Sequence, residues 1–156
     1  MKNIRKIIAA AILVSTAQIM AQAPTVSWVK SYGSSSADWA KEATKCEDGG
    51  YFITCYSTGN DGDITGHKDT TDIVLIKTDA LGNKLWVKNY GGDGVDFPEN
   101  ITSMPDSGAV ICGYTSSTNG DVSKNYGHHD AWIFRVDKNG TIMWEKSLGT
   151  HEDDRG

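Results

Sequence analysis

The sequence predicts an all-β fold of tandem four-stranded antiparallel sheets, about two of them, stacked face to face. Three observations predict it. A block of 58 residues repeats in tandem, clusters of Asp or Asn with Gly separate short β-rich runs, and no stretch after residue 23 carries a helical apolar period with caps.

The repeat is the strongest signal. Trp28-Val29-Lys30-Ser31-Tyr32-Gly33 returns as Trp86-Val87-Lys88-Asn89-Tyr90-Gly91, then as Trp144-Glu145-Lys146-Ser147-Leu148-Gly149. Asp38, Asp96 and Asp154 keep the step, as do Asp48 with Asp106, Ile53 with Ile111, Asp63 with Asp121, and Asp79 with Asp137. Residues 28–85 align with 86–143 without a gap, at 16 identities in 58 positions. This is duplication.

The elements follow in order. A lone strand over 26–32 leads the chain. In the first copy the turn Glu47-Asp48-Gly49-Gly50 precedes a strand over Tyr51–Tyr56. Ile73–Thr78 follows, then the turn Asp79-Ala80-Leu81-Gly82 and a strand over Asn83–Tyr90. The second copy reads Asn100–Met104, a turn at Pro105-Asp106-Ser107-Gly108, and Ala109–Tyr114. A polar loop from Thr115 to His129 leads to Ala131–Val136, the turn Asp137-Lys138-Asn139-Gly140, and Thr141–Leu148. Gly in these turns supplies the positive φ that tight hairpins require. The middle strands, Ile73-Val74-Leu75-Ile76 and Trp132-Ile133-Phe134, are apolar on both faces, as in a sheet buried on both sides. Units of about 39–96 and 97–154 result. Four antiparallel strands per unit with a recurring aromatic make the architecture β-propeller-like. Trp28, Trp86 and Trp144 are expected to wedge between neighbouring sheets, each burying about 200 Å²; the alternative role is a platform for sugar rings. Two units are too few to close a ring of four or more blades. Either the chain continues beyond Gly156 or several copies assemble, and the first is the expectation.

The first 23 residues read as an address. Lys2, Arg5 and Lys6 precede a mainly apolar run from Ile7 to Ile19, then small residues at Ala21-Gln22-Ala23. That is the layout of a cleavable secretory signal peptide, so the expected location is secreted, cell-surface or periplasmic. The run is too short for the roughly 20 residues of a membrane-spanning helix, and no Cys follows to carry a lipid anchor. The remaining 133 residues hold 12 Lys+Arg against 20 Asp+Glu, a net charge of −8. Such a surface repels phosphate backbones, which disfavours nucleic acid as a partner. Cys46, Cys55 and Cys112 match no zinc pattern and cannot all pair within one chain; one unassigned bridge stays open.

The tails Asp79-Ala80-Leu81-Gly82-Asn83-Lys84-Leu85-Trp86 and Asp137-Lys138-Asn139-Gly140-Thr141-Ile142-Met143-Trp144 resemble the Asp-turn-Gly-strand-Trp element of quinoprotein-like and kelch-like propeller repeats. With Trp-x-Lys-x-Tyr-Gly-Gly, Asp-Gly-Gly-Tyr and Asp-Gly-Asp segments, residues 26–156 are similar to the propeller-type repeats of secreted Bacteroidetes proteins. The resemblance implies architecture, not ligand. A quinone cofactor needs the channel of a closed ring, which two blades do not make. Asp69-Thr70-Thr71 resembles the short O-glycosylation acceptor of that group.

The candidate chemistry is thin. The loops Gly59–Asp72 and Asn119–Asp130 carry carboxylates with interspersed Gly, and Asp63, Asp72, Asp121 and Asp130 are the shared candidates for calcium. The competing reading is Asx-turns that satisfy loop amides, and it is favoured because no EF-hand spacing is present. His128-His129 reads as solvated loop, since neighbours on a strand face opposite ways. No Gly-x-Ser-x-Gly elbow occurs. Paired carboxylates for glycoside hydrolysis are spatial and stay open, although acids that recur in every copy point to structure. Trp28, Trp86, Trp144, Gly82, Gly140, Asp79 and Asp137 are assigned structural roles, with no catalytic or cofactor residue. The expected function is a non-enzymatic module that displays loops to a protein or glycan. The alternative is the beginning of an extracellular enzyme or sensor, and self-association is a third reading.

Overall fold

A computed structural model describes residues 25–67 and 71–155; the signal-peptide segment lies outside them, as does the larger part of Asp69-Thr70-Thr71. Eight strands follow one another: β1 (Asp38–Lys45), β2 (Tyr51–Ser57), β3 (Asp72–Thr78), β4 (Lys84–Tyr90), β5 (Asp96–Ser103), β6 (Ala109–Thr115), β7 (Asp130–Val136) and β8 (Ile142–Leu148). They form two antiparallel four-stranded sheets in the orders β1-β2-β3-β4 and β5-β6-β7-β8. The protein is all-β, a tandem of blade-like sheets that do not close on themselves. Among the described residues no helix is long and apolar enough to cross a membrane.

Two departures from the sequence expectation have physical causes. The second unit's first strand begins at Asp96, not Asn100, because the register shift between Pro98 and Asn100 absorbs a proline that has no N–H to give the ladder. The first unit has the same bulge between Ala40 and Glu42. Residues 26–32, expected as a lone strand, pair with no strand. They lie on the first sheet, where the Tyr32 hydroxyl donates to the Gly82 carbonyl and the Asp63 amide donates to the Gly33 carbonyl at 2.9 Å.

The turns are closed by their own aspartates. Asp79 Oδ1 accepts from the amides of Leu81 at 2.9 Å and Asn83 at 2.8 Å; Asp137 Oδ1 accepts from Asn139 and Thr141 at the same two distances. Gly82 and Gly140 complete these turns at φ of 72° and 73°.

The core lies between the sheets. Phe52, Ile73, Leu75 and Tyr90 of the first sheet meet Ile101, Ile111, Trp132 and Phe134 of the second. Side chains of this size each contribute about 1.5–3 kcal/mol when fully buried. Every residue of β3 is buried, so the first sheet is covered on both faces. In β7 burial alternates, which corrects the expectation for Trp132-Ile133-Phe134: Trp132 and Phe134 face the first sheet, and Ile133, on the other face, is only half-buried. The tryptophans follow the same division. Trp86 stands 5.8 Å from Phe52 and overlies Gly140, so it bridges the joint. Trp28 lies over Gly82 and 5.8 Å from Tyr51. Trp144, expected between sheets, is 41% exposed: among the described residues no third sheet stands beside it.

Candidate functional site

The register of the first two strands in each sheet sets aromatic residues in pairs. Trp39 on β1 lies opposite Tyr56 on β2, and Phe97 on β5 lies opposite Tyr114 on β6. Trp39 and Phe97 directly precede the two bulges, which re-aim the strands at that point. The pairs stack, with centroids 4.9 Å and 5.2 Å apart. Tyr56 and Phe97 meet across the joint at 4.4 Å, which makes one row, Trp39–Tyr56–Phe97–Tyr114. His129 abuts the far end edge-on at 5.5 Å, and the Arg155 guanidinium lies 5.2 Å from the Tyr114 ring centre. Trp39 is 45% exposed, and the other three rings are half-buried.

Charged groups flank the row. Lys41 and Glu99 pair at 3.0 Å across the joint, and the hydrogen bond to Glu99 holds the Lys41 ammonium above its ordinary pKa. Burial pushes the Tyr114 hydroxyl up, so it stays protonated at neutral pH and can donate. His129 Nδ1 lies 2.7 Å from Asp153. Rings whose faces carry negative quadrupole, bordered by donors and acceptors, can stack the C–H face of a sugar while gripping its hydroxyls. The row holds no nucleophile paired with a base.

The candidates taken from the sequence lie elsewhere. Asp63 accepts from the Gly33 amide and bonds Lys84. Asp121 accepts from the Gly91 amide at 3.1 Å. Asp72 is buried, 3.7 Å from His67, and Asp130 is buried and accepts from the Tyr126 amide. Asp63 and Asp121 thus hold the same chain crossing in successive units. Among the described residues no three His, Cys, Asp or Glu side chains stand close enough together to hold a metal. Cys46, Cys55 and Cys112 are free thiols, and burial pushes Cys55 up to about 12.

Sequence reasoning missed the aromatic row, which contains none of Trp28, Trp86 and Trp144. The signal was present: Trp39 with Phe97, and Tyr56 with Tyr114, keep the 58-residue step. No protein-family model matches the chain, and none of the curated proteins is detectably similar to it.

Proposed function

We propose that this chain is an exported, non-enzymatic binding module whose contact surface is the row Trp39–Tyr56–Phe97–Tyr114, and that its ligand is a glycan. The carrying observation is the continuity of the row across two sheets, with one large ring 45% exposed at its end. Export is supported by the charged, apolar and small-residue succession of the first 23 residues.

The test is titration of the purified chain with hexasaccharides derived from cellulose, chitin and xylan, followed by tryptophan fluorescence and calorimetry. Binding by at least one probe should fall about 10-fold or more in Trp39→Ala and Tyr114→Ala, since stacked aromatics act as hot spots. Trp144→Ala should bind as well as the parent. A proline-rich peptide that binds through Trp39 while every sugar fails would move the assignment to a protein ligand. Silence from sugars and peptide alike would end the proposal.

A further inference from the structure

We propose that the open face of the second sheet docks the first sheet of a second copy of this chain, head to tail. The inference stands on the joint between the sheets, not on the ligand proposed above.

The joint inside the chain defines what a joint needs. Its donor face on the first sheet carries Phe52, Ile73, Leu75 and Tyr90, none more than 3% exposed. Moved by 58 residues, these positions become Val110, Ala131, Ile133 and Leu148 on the second sheet, where Leu148 is 63% exposed. Cys112, Ala131, Ile133 and Leu148 line a depression of about 180 Å³ there. The face that would fill it is present on the same chain. Ile53, Val74 and Ile76 of the first sheet hold the positions from which Ile111, Trp132 and Phe134 make the internal joint.

Among the described residues that complementary face carries no second sheet: Ile64 of the loop after β2 and the unpaired segment 25–33 lie on it, and a gap of about 320 Å³ remains beside Trp28, Tyr32, Ile53 and Ile76. On the first sheet this segment holds the place that β4 holds on the second. Tyr32 donates to Gly82 as Tyr90 does to Gly140, and the amides of Asp63 and Asp121 donate to Gly33 and Gly91, both at 2.9 Å. Trp144-Glu145-Lys146-Ser147-Leu148-Gly149 of a second copy shares Trp, Lys, Ser and Gly with Trp28–Gly33. Exchanging one for the other keeps these four residues and puts Leu148 in the place of Tyr32, a low-cost route to association, and the sheet behind β8 closes the gap.

Charge selects a second copy as the occupant. Lys41 and Glu99, paired across the internal joint at 3.0 Å, occupy one repeat position with opposite signs. Head to tail, Glu99 meets the next copy's Lys41, again as an opposite pair. Tyr114 likewise meets the next copy's Trp39 where Tyr56 now meets Phe97, and the aromatic row continues. Such a contact is heterologous and closes into a ring if its rotation allows. Two copies supply four sheets, within the range of closed rings.

Sedimentation velocity of the purified chain under reducing conditions, over a range of concentrations, tests this. The parent should associate into a finite species. Trp144→Ser and Leu148→Ser, exposed in the single chain and checked for folding by circular dichroism, should weaken association about 30-fold. Tyr32→Phe loosens the chain's own leading segment and should strengthen association about 5-fold. Asn139→Ser, exposed at the turn that receives Trp86 within the chain, should change nothing. Lys41→Glu should weaken association, and adding Glu99→Lys should restore it. A chain that stays monomeric even as Tyr32→Phe, or association indifferent to both Trp144 and Leu148, overturns the proposal.

Discussion

Gly140→Ala isolates the joint between the sheets. Gly140 has φ of 73°, and a left-handed backbone costs an alanine about 1–2 kcal/mol. Its new Cβ would also stand 2.8 Å from Trp86 Cη2, 2.8 Å from the Tyr90 hydroxyl and 2.9 Å from Lys88 Cδ. These atoms have little room to yield. The Trp86 ring is braced by Phe52 at 5.8 Å, and the Tyr90 hydroxyl is bonded to the Gly140 carbonyl at 2.7 Å. Overpacking of this kind costs about 1–3 kcal/mol more, so the total is about 2–5 kcal/mol. Gly66→Ala is the control: φ is 85° with nothing within 4 Å, so only the backbone cost of about 1–2 kcal/mol applies. Urea unfolding followed by circular dichroism measures both. The expected excess for Gly140→Ala is about 1–3 kcal/mol. It should shrink in a Trp86→Ala background, where the ring's part of the clash is gone. Equal losses at the two glycines would refute the reasoning that Trp86 is pinned between the sheets.

Lys77 and Arg135 share a repeat position and pair with Asp48 and Asp106 at 2.8 Å and 2.6 Å, but their side chains are 2% and 26% exposed. Asp48→Asn strands a buried ammonium and should cost about 3 kcal/mol in urea unfolding, against less than about 1 kcal/mol for Asp106→Asn; similar losses would contradict the burial difference. Asp79 and Asp137 are held below the usual carboxylate range, Asp79 first by the Asn83 side chain and Asp137 first by the Thr141 amide. A depressed folded pKa gives stability that is present above the unfolded value of about 3.9 and lost as pH falls through the folded one. The melting temperature should therefore hold from pH 7 to about 5 and fall below about 4; a decline beginning near pH 6 would point to other groups. With iodoacetamide and peptide mass mapping, Cys112 should label before Cys55, whose thiol burial pushes up to about 12. Early labelling of Cys55 would show that segment 25–33 does not cover it.

Local chemistry was legible and long-range pairing was not. The turns at Asp79–Gly82 and Asp137–Gly140 announce themselves because their side chains bond amides two and four residues away. The apolar runs of β3 and β7 mark strands whatever covers them. Which face is covered is not local: Ile133 and Leu75 are the same repeat position, one half-buried and one fully buried, and the difference is a neighbouring sheet. Pro98 hid the start of β5, since a proline within a strand pattern argues against a strand unless a bulge receives it. The aromatic row needs the register of four strands before Trp39 and Tyr114 fall into line.

The internal likeness of the chain is concentrated at the joint, and this bears on what was duplicated. The residues that keep the 58-residue step include Trp28 with Trp86, Tyr32 with Tyr90, Gly33 with Gly91, Asp63 with Asp121, and Gly82 with Gly140. Each set makes one contact in two places: tryptophan and tyrosine over the turn glycine, and the glycine crossing tied to aspartate. Sheet interiors drift by comparison, with Val74 against Trp132 and Ile76 against Phe134, because a face tolerates any apolar set of adequate volume. A turn where an added Cβ would stand 2.8 Å from a ring tolerates only glycine. The repeat therefore preserves the means of attaching one sheet to the next more strictly than it preserves the sheet. The third Trp-x-Lys-x-x-Gly, at 144–149, carries that means on the chain's surface, with Trp144 41% exposed.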